Sequence, residues 1–160
     1  MHIEPGDVNG AKLVLSYVTA AGAIGYGAKL ALDTIKREGI STLAVRSAIA
    51  TVLVFCFFQV FPHYPVGVSE AHLILGSTLF LMFGAAPAAI GLALGLLIQG
   101  LFFAPHDLPQ YGMNVTTLLV PLVLLGALAR HIIPASTAYK DVQYGHCLAL
   151  STAYQGGVVA

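Results

Sequence analysis

Long stretches of this chain carry no charged side chain, among them residues 13–28, 47–69, 71–106 and 108–129. No other feature limits the fold as strongly. A helix that crosses the hydrocarbon layer of a membrane needs about 20 apolar residues, with a working range of roughly 17–25. Residues 47–69 and 108–129 each suit one such helix. The 71–106 stretch is too long for one, and Gly84-Ala85-Ala86-Pro87 offers a break inside it. Glycine suits the end of a helix, and proline cannot continue one. A first span is expected over 11–32, with Lys29 reaching back to the interface. The last apolar run, His146 to Ala160, is short for a span and has no polar stop, which suggests a chain that continues past Ala160.

The resulting expectation is an all-α fold, a polytopic transmembrane helical bundle of about five to six spans. They fall near 11–32, 43–62, 70–84, 86–104, 113–130 and 146–160, within a single integral-membrane domain covering 1–160. Composition agrees, since only 9% of residues are charged and 58% are hydrophobic. A soluble domain needs roughly 25% charged residues to solvate its surface. The net charge is zero, so no basic field points to nucleic acid. Cys56 and Cys147 sit apart in apolar runs and read as small buried hydrophobes rather than a disulfide or a CxxC site. The N-terminus lacks the basic segment of a secretory leader, so Met1 is expected to stay on the mature chain.

Small residues crowd the expected helices. Gly91 and Gly95 have GxxxG spacing, which lets helix backbones approach closely in lipid. Packing within the chain is favoured here over a dimer face.

Lysines and arginines set the orientation. Lys36, Arg37, Arg46, Arg130 and Lys140 gather on one side, with Lys29 near them, and only Lys12 lies on the other. The N-terminus is therefore expected outside, and the chain is expected as a multi-pass protein of the cell (inner) membrane. The outer side then receives residues 1–10, the 61–72 loop and the 105–114 loop. These contain His2, His63, His72 and His106, together with Glu4, Asp7, Glu70 and Asp107.

The position of His2 is the sharper signal. A free α-amine, the backbone nitrogen of residue 2 and its imidazole can close fused chelate rings on one metal ion. Metals that favour square-planar nitrogen sites, such as Ni(II) and Cu(II), promote loss of the amide proton. One further imidazole would complete a four-nitrogen plane. His72 is expected to open a helix running into the membrane, while His63 and His106 lie beside Pro62 and Pro105 in loops. Glu70 is expected either to support the site or to cap that helix start, where negative charge is favoured.

The sequence resembles the CbiM/NikM family, the cobalt- and nickel-binding membrane component of energy-coupling factor (ECF-type ABC) transporters. The resemblance rests on Met1-His2-Ile3 with Gly6, on Phe61-Pro62, and on Gly67-Val68-Ser69-Glu70-Ala71-His72-Leu73-Ile74-Leu75-Gly76. It continues through Leu97-Ile98-Gln99-Gly100-Leu101-Phe102-Phe103 and Gly112-Met113-Asn114-Val115. It implies an N-terminal strand that dips into the bundle from outside. Met1 and His2 would bind Co(II) or Ni(II) as the transported substrate, with His72 as the remaining ligand. Gln99 and Asn114 would hold the N-terminal segment or line the site. The partners implied are a transmembrane coupling subunit, ATP-binding subunits and, in some assemblies, a small accessory membrane subunit. Here Glu4-Pro5 and Ala71-His72 depart from the usual pattern.

No GxxxxGK[ST] sequence occurs, so ATP hydrolysis is not expected on this chain. Two other readings use the same outer residues. One is a membrane metalloenzyme built on His63, His72, His106 and Glu70, although no HExxH pair is present. The other is a structural subunit without a ligand.

Overall fold

The computed structural model describes residues 2–3, 10–61, 64–66, 69–71, 74–134, 136–137 and 141–159. Its helices are α1 (Ala11–Glu38), α2 (Ile40–Gln59), α3 (Gly76–Phe83), α4 (Ala85–Phe102), α5 (Tyr111–Ile132) and α6 (Tyr144–Val159). A short 3-10 helix, Pro105–Gln110, leads into α5. Three very short strands complete the fold: β1 (His2–Ile3), β2 (Tyr64–Val66) and β3 (Ser69–Ala71). The protein is a polytopic helical bundle in the membrane. Among the described residues, four segments are long and apolar enough to cross: Ala11–Glu38, Ile40–Gln59, Ala85–Phe102 and Pro105–Ile132.

Two glycines make the sharp reversals. Gly39 (φ 89°, ψ 159°) joins α1 to α2, and Gly84 (φ 91°, ψ 171°) joins α3 to α4. That backbone region is essentially closed to residues with a Cβ. Each glycine also closes the helix before it, its N–H donating to Ile35 O at 3.0 Å and to Phe80 O at 2.9 Å respectively. The break expected at Gly84-Ala85-Ala86-Pro87 thus falls at Gly84. Pro87 sits in the first turn of α4, where its missing N–H costs little.

α4 and α5 form the centre. Over half of the spanning part of each is buried, 56% in both, against 22% for α1 and 28% for α2. Leu92, Leu96, Val115, Leu118 and Leu122 make the core between them. The outer faces of α1 and α2 expose Val14, Leu15, Val18, Leu32, Val45 and Val52, as suits contact with lipid. Burial of apolar surface drives little association in lipid, so close packing must hold the helices together. Gly91 and Gly95 supply it. A Cβ on Gly91 would lie 2.6 Å from Ala50 Cβ, and one on Gly95 would lie 2.6 Å from Val54 Cγ1. The GxxxG pair is therefore an internal seam between α4 and α2.

The helical bundle is as expected, one boundary needs correction, and two features extend the reading. Beside the helices, a three-stranded sheet of order β1-β3-β2 stands at one end. Strands of two or three residues are too short to show an alternating pattern. Next, no helix begins at residue 70: residues 69–71 are strand, and α3 starts only at Gly76. Glu70 is therefore not a helix cap, and α3, with eight residues, is too short to span alone. Last, α1 continues beyond the expected span of 11–32 to Glu38. Charged residues limit the part of a helix that sits in hydrocarbon, but Lys36, Arg37 and Glu38 are good helix formers beyond it.

Candidate functional site

The strands gather at the end of the bundle where α1, α3 and α5 begin and α2 and α4 finish. β3 pairs antiparallel with both neighbours. His2 stands opposite Glu70 and Ile3 opposite Ser69. Tyr64, Pro65 and Val66 stand opposite Ala71, Glu70 and Ser69. β1 also rests against the 3-10 helix and α5. The extreme N-terminus is thus an edge strand, laid beside the segment that leads to His72 and braced from behind by helices. Met1, His63 and His72 lie outside the described residues, as do Glu4 and Asp7.

A small cavity lies in the same end. It is lined by Gln99 of α4, Asp107 of the 3-10 helix, and Tyr111 and Asn114 of α5, closed off by apolar neighbours. Its volume of about 10 Å³ is close to the least that holds one water. Gln99 and Asn114, which come from separate sequence blocks, therefore meet at one hollow. Both are buried. The Gln99 Oε1 and Gln110 Oε1 atoms are buried with no hydrogen-bond partner among the described residues. A buried carbonyl oxygen in that state is costly unless something completes it. The Tyr111 hydroxyl donates to Ala93 O at 2.9 Å, which fixes one wall.

His106 is placed differently. Its side chain is 73% exposed, and Nε2 lies 3.4 Å from Asp107 Oδ1. It faces out from the end of the bundle while Asp107 turns inward. Among the described residues no group of three or more His, Cys, Asp or Glu side chains could hold a metal ion.

Two supporting residues were not singled out from the sequence. The Gln155 side-chain amide of α6 donates to Ile74 O at 2.6 Å. Ile74 is fully buried and lies two residues after His72. α6 therefore clamps the chain just past that histidine. Tyr17 of α1 does the same for the 3-10 helix, its hydroxyl donating to Pro109 O at 2.9 Å. Gly112 makes room for the ring, since a Cβ there would lie 2.9 Å from Tyr17 Cδ1. Gln155 had one signal, as a lone amide within an apolar stretch. Tyr17 had none, because tyrosines are common in membrane helices.

The model of the CbiM family, the cobalt uptake substrate-specific transmembrane region, matches residues 2–160. No curated protein and no solved structure shows a significant match.

Proposed function

Since the chain belongs to the CbiM family, whose members are transport components for cobalt uptake rather than enzymes, we propose that it captures Co(II) or Ni(II) at the sheet end of the bundle. The ligands in this reading are the Met1 amine, the backbone and imidazole nitrogens of His2, and the imidazole of His72. The observation that carries it is the pairing of His2 with Glu70. That register lays the N-terminus beside the strand that leads to His72, two residues further on. A chain end is otherwise the least ordered part of a protein. Here it is held by strand pairing and by helices behind it, which reduces the entropy lost when a metal closes the ring.

The chemistry follows from the donor set. A deprotonated amide and three neutral nitrogens form a strong-field plane that suits Ni(II), with Co(II) somewhat weaker along the usual affinity order. Gln99 and Asn114 act as positioning residues. The orphan Gln99 Oε1 can accept a hydrogen bond from the N-terminal segment or from a water that bridges to it. Capture takes place from outside, and the metal is released inward when a conformational change takes the ligand set apart. ATP hydrolysis on ATP-binding partner subunits, coupled through a transmembrane subunit of the ECF type, supplies the energy.

The test is metal titration of purified protein with a native N-terminus, beside His2→Ala, His72→Ala and a form extended by two residues before Met1. One ion per chain is expected for the native form, with affinity falling in each variant by more than the roughly 10–100-fold that loss of an outer-shell partner costs. Unchanged affinity in the extended form and in His2→Ala would sink the N-terminal site.

A further inference from the structure

A larger hollow lies at the end of the bundle opposite the sheet, where α1 turns into α2 and α3 turns into α4. Its volume of about 360 Å³ is in the range of small-molecule sites, roughly 300–1,000 Å³. α1 supplies Leu30, Thr34, Arg37 and Glu38 to its wall, a spacing that places them on one face of the helix. Arg46 of α2 stands across from them, and Leu81 and Met82 of α3 close the apolar side. α4 begins at the same place, after Gly84.

We propose that this pocket binds the phosphate of an anionic phospholipid, held by Arg37 and Arg46 with the glycerol end toward Leu30. Three observations meet here. The first is charge, since two guanidinium groups and one carboxylate line the pocket itself. Glu38 accepts from Arg46 Nη1 at 2.8 Å. Arg37 Nε donates to Asp33 O at 3.3 Å, and Arg37 forms no ion pair among the described residues. A guanidinium carries five N–H donors, so both arginines keep donors for a phosphate, which they recognise in pairs. The start of α4 adds partial positive charge, and its cap, Gly84, has no side chain to satisfy the first N–H groups. The second observation is the order of polarity. Along α1 the lining passes from Leu30 through Thr34 to Arg37, about 10 Å at the helical rise. Acyl chain, glycerol ester and phosphate follow in the same order in a phospholipid, whereas a bare phosphate would leave Leu30, Leu81 and Met82 uncovered. The third is depth. Arg37 lies in the last turn of α1, as Arg130 does in the last turn of α5. The pocket therefore stands where the spans end and lipid phosphates lie.

Native mass spectrometry of the detergent-purified full chain, titrated with phosphatidylglycerol or phosphatidylcholine of identical chains, tests this. The wild type should retain phosphatidylglycerol with about fivefold preference, the effect of one net basic group near anionic lipid. Arg37→Gln should bring the preference close to one. Lys36→Gln removes the same charge from the neighbouring residue, which does not line the pocket, and should leave the preference intact. Both positions are exposed, and circular dichroism should show the wild-type helical fold in each variant. Equal retention of the two lipids by the wild type would overturn the proposal. So would equal losses in Lys36→Gln and Arg37→Gln, which would point to diffuse surface charge. Displacement of the lipid by inorganic phosphate at equal concentration would make this a free-anion site instead. A lipid preference that survives Arg37→Gln, while partner subunits no longer co-purify, would make it a protein interface and equally overturn the lipid assignment.

Discussion

His2 and Glu70 stand opposite each other in an antiparallel pair, and Ile3 stands opposite Ser69 beside them. The pairing ties the start of the chain to a strand some seventy positions later. Nothing in between requires that register except the way α1 and α2 return the chain to the same end of the bundle. The turn at Gly39 sends α2 back along α1, so residue 60 emerges where residue 10 entered.

A disulfide tests the register while leaving Met1 free. Directly opposed residues in antiparallel strands have Cβ atoms about 4.5–5.5 Å apart, within reach of a bridge after slight adjustment. Ile3→Cys with Ser69→Cys, in a background with Cys56 and Cys147 changed to Ala, should cross-link under mild oxidation. Ile3→Cys with Val66→Cys should not, because Val66 belongs to β2, on the far side of β3. Peptide mapping of the oxidised protein reads the result. The opposite pattern would mean that β1 does not lie beside β3.

Much of this was legible in the sequence, and the reasons differ by element. Charge-free runs gave the helices, because lipid allows no other solution for an apolar segment of that length. Gly84 before Pro87 marked the reversal, because both residues act through local backbone geometry. Of the sheet, only the N-terminal strand was implied, by the resemblance; β2 and β3 were not legible, because they are shorter than any periodic signal and tertiary contacts make them strands. The start of α3 was misplaced for the same reason, since Glu70 and His72 look like helix-start residues until Ser69, Glu70 and Ala71 are taken into β3. Gln99 and Asn114 could be named from the resemblance. Their meeting with Asp107 at one cavity depended on how α4, the 3-10 helix and α5 close together.

Metal capture should depend on pH in a defined direction. A free α-amine has a pKa of roughly 7.7–8.0 and an imidazole about 6.5, and the metal needs these nitrogens unprotonated. Affinity should therefore rise as pH increases from about 6 to 8, as protons stop competing for the site. At pH 7 binding should release about two protons, one from the amine and one from the His2 amide. Calorimetry in buffers of different ionisation enthalpy counts them. A count near zero would mean that neither the amine nor the amide is a ligand.

Gln155 should matter to the opposite end of the chain. Its hydrogen bond to Ile74 O is 2.6 Å long and involves a fully buried residue. Replacement by leucine keeps the volume and leaves that carbonyl unsatisfied, a cost of about 1–3 kcal/mol. A lower melting temperature is expected, together with weaker metal binding, because the clamp lies two residues from His72. Gln155→Glu retains an acceptor but loses the donor, and it should not rescue the effect. A variant with reduced stability and wild-type metal affinity would show that α6 is structural and does not position the site.

The seam between α2 and α4 should be far less tolerant than the face of α1. A methyl group on Gly91 would meet Ala50 at 2.6 Å, and backbone atoms of the same turn lie close behind, so no side chain can swing away. Gly91→Ala must push two helices apart, and overpacking of this kind costs about 1–3 kcal/mol. Gly95→Ala meets Val54, whose branched side chain is fully buried and has little freedom to turn. Gly27 is the control. A Cβ there would lie 3.6 Å from Ala89 Cβ, an ordinary contact, in a helix that alanine favours. Thermal unfolding in detergent should show Gly91→Ala and Gly95→Ala clearly destabilised and Gly27→Ala neutral or slightly stabilised. If all three melted together, the GxxxG pair would not be the internal seam that its geometry indicates.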